Sequence, residues 1–218
     1  MSRAEEITET AGEVHEAAPK APLFERFDDA DVRAVIETYP LAWVCAGSGA
    51  AIEASQLPLI GVYDEAGRLT ELIGHLMRSN PLCPILARDP GAMILFAGPD
   101  AYVSPEHAGR RDWAPTWNYA QLRIGVDLVL DADLTEYSLK VLIDAMEGAR
   151  QEPWDVGELG DRYRAMLGRI IGFRARVTSL SGKFKLGQDE DSGTLNEILA
   201  NLPDAATAAW MRRFNKGR

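Results

Sequence analysis

The feature that most constrains the fold is a succession of short apolar or alternating segments separated by turn residues. LAWVCAGS, AIEASQLPLI and RLTELIGH follow one another, and residues 64–67 have the composition of a hairpin turn. AMILFAG and residues 116–130 and 170–180 continue the pattern, and Gly125 is expected to bulge or bend its strand. Strands in this order with helices inserted between them predict a mainly β, α+β fold, a small antiparallel barrel with peripheral helices.

Helices are predicted from capping residues and apolar periodicity. Asp28 or Asp29 is expected to cap the first, which ends near Thr38 and buries Val32, Val35 and Ile36. Further helices are predicted over residues 82–88, 134–147, 159–168 and 194–214, the last of them broken at Pro203.

The helix over residues 134–147 has the fullest apolar stripe. Asp131 or Asp133 is expected to cap it. The predicted buried stripe consists of Leu134, Tyr137, Leu139, Leu142, Ile143 and Met146.

Composition indicates a substantial core and an acidic balance. The 218 residues are 46% hydrophobic and carry a formal charge of −10. No apolar run approaches the roughly 20 residues of a membrane-spanning helix, and residues 1–20 are acidic, unlike a secretory signal. We predict a cytoplasmic protein without a membrane partner, made of an acidic tail (1–20), a barrel domain (21–190) and a helical extension (191–218).

Motifs for metal binding and covalent catalysis are missing from the sequence. Cys45 and Cys83 are far apart in apolar contexts, and His15, His75 and His107 are isolated. No dinucleotide fingerprint, P-loop, nucleophile elbow or evident acid pair is present. We predict no metal site and assign no catalytic residue.

One segment reverses the acidic balance. Residues 162–188 contain no acid, and this excess of positive charge indicates an anionic partner. A solvated strand face is the structural alternative. Direct DNA binding is not expected, because the net charge is negative and no helix-turn-helix is evident. The seven cations are Arg162, Arg164, Arg169, Arg174, Arg176, Lys183 and Lys185.

The segment GHLMRSNP (74–81) is predicted to turn from a strand into a short helix. Backbone N–H groups exposed at the turn, the Arg78 guanidinium and the Ser79 hydroxyl would together favour an anion. In the alternative explanation, Asn80 only ends the turn ahead of Pro81 and Arg78 is solvated.

The loop over residues 96–119 is rich in aromatic residues, prolines and amides and ends in PTWNY. Thr116, Trp117 and Asn118 begin a strand, so at most two neighbouring side chains reach one ligand. Trp117 or Tyr119 is suited to stack on a planar ring, while Asn118 or Thr116 donates to its edge. Core packing of one of the aromatic rings remains an alternative.

The segment SGKFKLGQ (181–188) places two ammonium groups together. Lys183 and Lys185 share one strand face, and Phe184 and Leu186 share the other. A bound phosphate would relieve the repulsion between the lysines, and Gln188 adds an amide. Lysines that protect an edge strand from pairing would give the same pattern.

These segments together resemble the PaiB-like transcriptional regulators, a family with an FMN-binding domain of the split-barrel flavoprotein type. The resemblance extends from about Pro22 to Leu202. The matching motifs are YP-L at 39–41, GHLMRSNP at 74–81, F-GP-AYVSP at 96–105, PTWNY at 115–119, PW at 153–154, IIGF at 170–173 and GKFKL-Q at 182–188.

The chain departs from this family at a few positions. It has Ser55-Gln56 where the family commonly has Thr-His, Gly187 where serine is usual, and Asp189 where asparagine is usual.

The resemblance implies a split-barrel homodimer with FMN at the subunit interface. From the basic segment and the aromatic loop, we expect Arg78, Ser79, Lys183 and Lys185, beside Asn80, to hold the FMN phosphate. We expect the edge of the ring to lie near His75, Thr116, Trp117, Asn118 and Gln188.

The activity stays open at this point. If the protein is an enzyme, reduced nicotinamide would deliver hydride to the flavin. The alternatives are a flavin-free regulator that acts through a partner protein or DNA, and a haem-binding split barrel with His75 or His107 as axial ligand.

Overall fold

The computed structural model describes residues 21–217, and the predicted acidic tail lies outside them. This part of the chain forms a seven-stranded sheet and six α-helices. The strands are β1 (Leu41–Ala46), β2 (Glu53–Pro58), β3 (Ile60–Tyr63), β4 (Leu69–Met77), β5 (Gly91–Val103), β6 (Thr116–Asp131) and β7 (Ile170–Lys185). The helices are α1 (Asp29–Thr38), α2 (Leu82–Leu86), α3 (Thr135–Glu147), α4 (Arg162–Leu167), α5 (Ser192–Asn201) and α6 (Ala205–Phe214).

The sheet curls into an open barrel. Its strand order is β2-β1-β5-β6-β7-β4-β3, and every neighbouring pair is antiparallel. β2 and β3 lie at opposite edges, yet only Leu59 separates them in the chain, so the two edges must approach each other. They do not pair with each other, and the Leu59 N–H between them donates to the Pro40 carbonyl at 2.9 Å. The predicted antiparallel barrel is confirmed as a split barrel.

Most of the strands and turns predicted from local sequence are present in the structure. The hairpin turn forms where expected, with the Gly67 N–H donating to the Asp64 carbonyl at 2.9 Å. The register of β6 against β7 shifts between Gly125 and Val126, which confirms the predicted bulge. The segment AIEASQLPLI, predicted as one strand, is divided into β2 and β3 because the chain crosses there from one sheet edge to the other.

Helix α1 confirms its prediction in detail. The Asp28 carboxylate accepts from the Asp31 N–H at 2.9 Å, and a reciprocal bond completes a capping box. Val32, Val35 and Ile36 are buried. The aligned apolar face fixes the helix against the sheet.

Helix α3 differs from its prediction at both its cap and its buried face. It begins after Leu134 without a side-chain cap, because the Asp131 carboxylate accepts from the Asp133 N–H at 2.8 Å. Tyr137 and Met146 are exposed rather than buried. The fully buried positions of the helix are Thr135 and Ser138.

The reason for this difference lies in the sheet beneath the helix. A Cβ atom on Gly172 would come within 2.8 Å of the Leu134 carbonyl oxygen, so β7 admits the helix backbone only because this residue is glycine. The Thr135 hydroxyl accepts from the Gly172 N–H at 3.1 Å. Close backbone approach therefore selects small polar residues on this face of α3.

The C-terminal helices complete the core. As predicted, two helices flank Pro203. The Phe184 ring stacks on Phe214 at 4.9 Å and on Trp210 at 6.2 Å between centroids, and Met211 is fully buried. The predicted extension thus packs on the barrel in one continuous hydrophobic core. No helix within residues 21–217 is long and apolar enough to cross a bilayer.

Candidate functional site

The turn after β4 is fixed from three sides. The Arg78 N–H donates to the Arg169 carbonyl at 2.9 Å, which ties the turn to the start of β7. The Asn80 amide accepts from the Leu82 N–H at 2.9 Å and donates to the Ser55 hydroxyl at 3.0 Å, which ties it to α2 and β2. The side chains of Arg78 and Ser79 remain exposed. The turn therefore presents a guanidinium and a hydroxyl on a fixed backbone.

The backbone N–H groups of this turn do not form the expected anion site. The Leu82 N–H is taken by the Asn80 side chain and the Cys83 N–H by the Asn80 carbonyl. The helix α2 has only five residues. Anion binding at this end of β4 would consequently depend on the Arg78 and Ser79 side chains.

His75 lies on β4, three residues before Arg78, in a half-buried site opposite Gly172. Its buried Nδ1 has no hydrogen-bond partner among the described residues. Burial lowers the pKa of the imidazole below its ordinary value. The ring is therefore biased towards its neutral form and adds no positive charge beside Arg78.

The start of β6 divides its polar groups between two faces. Asn118 is buried, and its amide donates to the Met211 sulfur at 3.4 Å, so it faces α6 rather than the outer surface. Trp117 is on the outer face, 52% exposed, with its ring edge-on to Tyr102. Trp117 is therefore accessible to a ligand ring, and Tyr119, the other candidate for stacking, is half-buried on the same strand face.

The lysine pair lies at the end of β7. The Lys185 ammonium donates to the Thr116 hydroxyl, and Lys183 is exposed opposite Gln121. Phe184, between the lysines, is fully buried, as the alternation predicts. Two ammonium groups are thus held on one outer strand face.

Gln188 stabilises the chain turn that follows β7. Its amide donates to the Phe184 carbonyl at 2.6 Å, and its oxygen accepts from the Leu186 N–H at 2.7 Å. Gly187 within this turn has φ +82°, a conformation that favours glycine. Gln188 and Asn118 thus make hydrogen bonds within the chain.

The seven cations of residues 162–188 do not form one patch. Arg174 pairs with Glu71, and Arg176 pairs with Asp127, so the middle of the segment is neutralised by neighbouring strands. Arg169 lies beside Arg78 at one end of β7. The lysine pair lies near the other end, so a single chain does not bring Arg78 and Lys183 together.

An outer sheet face connects these two regions. In register, Trp43 lies beside Leu95 on β5, and Leu95 lies beside Arg123 on β6. Large apolar side chains on this face are between 37% and 52% exposed, namely Leu41, Trp43, Met93, Leu95, Tyr102 and Trp117. The first four lie together on β1 and β5, and Tyr102 pairs with Trp117 further along β5 and β6. Exposed apolar side chains grouped in this way are typical of an interaction site.

Sequence reasoning missed this face and the contact of Ser55 with Asn80. The signal for the face was present, because LAWVCA and AMILFA are apolar at both odd and even positions. A strand with two apolar faces needs cover on both sides. The Ser55 contact joins residues 25 positions apart and left no local signal.

The donor set fits a phosphate ester with a flat aromatic part. Arg78, Ser79 and the lysine pair are suited to phosphate oxygens. Trp117 and the apolar face are suited to a planar ring. Fold and site thus define a split β-barrel with the features of a flavin-binding protein.

The comparison with known families agrees with this class. The family model described as "Putative FMN-binding domain" matches residues 20–179, and the chain belongs to this family. The chain is 26% identical over 135 residues to the protease synthase and sporulation protein PAI 2 of Bacillus subtilis. That alignment spans 60% of this chain and 64% of the relative's length, slightly under two thirds of it.

Solved structures share the fold at low identity. A FAD and haem binding protein from Mycobacterium smegmatis superposes with a TM-score of 0.54 at 16% identity, covering 79% of this chain and 78% of that one. A conserved hypothetical protein from Mycobacterium tuberculosis gives a TM-score of 0.54 at 14% identity, covering 80% and 96%. These similarities establish the fold.

Proposed function

We propose that this protein binds FMN at a site shared by two copies of the chain. The observation that carries the proposal is the exposed apolar face between two separated cationic regions. Arg78 and Ser79 mark one region, and Lys183 and Lys185 mark the other. Membership of the FMN-binding family supplies the chemical class of the ligand.

A two-fold dimer would bring the two cationic regions together, one from each copy of the chain. In an isologous interface each contact occurs twice, because the same surface of both subunits is used. A partner packed with its β7 antiparallel would place its lysine pair near the Arg78 turn of the first chain. Burial of Trp43, Leu95 and their neighbours would supply the driving force.

Each group has a defined role in this proposal. Arg78 and the lysines would offset the phosphate charge, which is close to −2 near neutral pH. Ser79 would donate a hydrogen bond, and Trp117 would stack on the ring. Bound FMN would supply redox chemistry with reduced nicotinamide as hydride donor, while the chain supplies binding and orientation.

The proposal is tested by titrating purified protein with FMN and with riboflavin while flavin fluorescence and the visible spectrum are recorded. We expect FMN to bind well below about 100 μM and riboflavin to bind at least tenfold more weakly, because it lacks the phosphate. Sedimentation equilibrium should show a dimer. Absence of FMN binding at about 100 μM would contradict the proposal.

The alternatives receive less support from the geometry. Two of the basic C-terminal residues considered for DNA have partners within the chain, since Arg213 pairs with Asp31 and Arg212 donates to the Leu199 carbonyl. For haem, the His107 Nδ1 accepts from the Ser104 N–H at 3.2 Å, and His75 is half-buried beneath α3. A haem titration without a Soret band would count against that alternative.

A further inference from the structure

The phosphate-binding turn depends on a contact across the opening of the barrel. β2 and β4 are not neighbours in the sheet, since β2 lies at one edge and β4 is next to the other. The Asn80 amide nevertheless donates to the Ser55 hydroxyl at 3.0 Å. Ser55 therefore links the two sides of the split barrel at the position where Arg78 and Ser79 are presented.

Both polar groups of the Asn80 side chain, its oxygen and its nitrogen, already make hydrogen bonds that hold the turn. Its oxygen accepts from the Leu82 N–H at 2.9 Å, which fixes the start of α2. Its nitrogen is partly buried and meets the Ser55 hydroxyl. Without that hydroxyl the nitrogen loses its partner within a half-buried site, and rotation of the amide would compete with its bond to Leu82.

We propose that Ser55 is a positioning residue for the phosphate site and acts through Asn80 on Arg78 and Ser79. This inference rests on the proposed function. The reason is geometric: a phosphate ester needs both donors at fixed separation, and the Arg78 backbone is held on the β7 side by its bond to the Arg169 carbonyl. Ser55 supplies the corresponding hold on the β2 side.

The test compares Ser55→Ala with Ser55→Thr, which keeps the hydroxyl. Thr70→Val is the matched control, because the Thr70 hydroxyl donates to the Val62 carbonyl at 3.1 Å in a different part of the sheet. Affinities for FMN and riboflavin, thermal unfolding, and hydrogen exchange of the Arg78 and Asn80 amides without ligand are measured for each variant.

We expect Ser55→Ala to weaken FMN binding about fivefold to tenfold, with riboflavin affinity unchanged and faster exchange of both turn amides. Ser55→Thr and Thr70→Val should bind FMN as the wild type does. Equal loss for both flavins, or unchanged exchange and affinity in Ser55→Ala, would overturn the positioning role while leaving the FMN site intact. A wild-type protein that binds no FMN would overturn both proposals.

If Ser55→Ala does not fold, Ser55→Cys provides the second variant, since a thiol is a weak hydrogen-bond partner of similar size. An intermediate loss of FMN affinity without loss of riboflavin affinity would support the role. Wild-type affinity and exchange in this variant would overturn it.

Discussion

The two ends of β7 expose positive charge in different ways. At the first end, Arg78 is on a turn whose backbone is anchored to β7, β2 and α2, and its side chain is exposed. At the second end, Lys183 and Lys185 are placed by strand alternation, with Phe184 buried between them as an anchor. The first end presents the Arg78 guanidinium from a fixed backbone, and the second end presents two ammonium groups close together.

This difference indicates that the two ends would contribute to phosphate binding in different ways. Guanidinium groups recognise phosphate oxygens with defined geometry, whereas ammonium groups act as point charges on flexible stems. The pairs of Arg174 with Glu71 and Arg176 with Asp127 keep the middle of β7 nearly neutral. Within one chain the charges at the two ends therefore stay separate.

The largest effect on FMN binding is expected when the two copies of the chain cannot associate. Trp43→Glu puts a charge on the outer apolar face, between Leu95 and Gln56, where burial without a partner is costly. We expect a folded monomer that binds FMN at least about tenfold more weakly, because a single chain cannot bring its two cationic ends to the same ligand.

Sedimentation equilibrium and FMN titration check this prediction. Met166→Glu is the control, because Met166 is similarly exposed but lies on α4. A dimeric Trp43→Glu protein with wild-type FMN affinity would show that the face is not the interface.

Removing the charge at each end separately measures how much each end contributes to FMN affinity. Arg78→Gln should weaken FMN binding roughly 10-fold to 100-fold, as expected for loss of a hydrogen bond to a charged group. Lys183→Gln should weaken it only about threefold to tenfold, because Lys185 remains. Riboflavin titrations serve as the reference, and equal losses for the two variants would remove the distinction between the ends.

The turn that fixes the lysine end is sensitive to the residue at position 187. Gly187→Ser combines a φ of +82° with contacts of 3.1 Å to Leu195 and Met211, so we expect unfolding free energy to fall by roughly 2–3 kcal/mol. Gly67→Ser is the matched control. It has φ +85° with nothing within 4 Å, and it should cost only about 1 kcal/mol.

Urea unfolding separates the two contributions. A larger loss for Gly187→Ser than for Gly67→Ser measures the packing of α5 and α6 against the turn. Equal losses would mean that the helices yield and that the lysine end is less rigid than its contacts indicate.

Much of this organisation was predictable because it is local. The strand turning at Arg78, the alternation of Lys183 and Phe184, and the helices around Pro203 follow from spacing and turn chemistry within a few residues. The same reasoning placed the positive charges at the correct positions in the chain. It did not determine whether Arg174 or Arg176 has a partner.

The remaining features depend on strand register. Pairing of Arg176 with Asp127 requires β6 to lie beside β7 in one particular alignment, which no local pattern specifies. The link of Ser55 to Asn80 requires the sheet to curl until its sides approach. Sequence reasoning therefore identified the groups but not that a single chain holds them at opposite ends of β7.

The smallest predicted effect concerns His75 beside the arginine end. Burial lowers its pKa in the folded protein, so the unfolded chain binds a proton more readily. Its contribution to stability is complete above the unfolded pKa of about 6.5 and is lost as the pH falls through the lower folded pKa. His75→Gln should remove that part of the pH dependence, about 1 kcal/mol or less.

Urea midpoints measured between pH 5 and pH 7.5 check this prediction, with His107→Gln as the matched histidine variant. The wild type and His107→Gln should lose stability more steeply towards acid than His75→Gln does. If all three proteins lose stability in parallel, the imidazole takes up its proton without cost to the fold. The arginine end of β7, which already carries Arg78 and Arg169, would then gain a further cation at low pH.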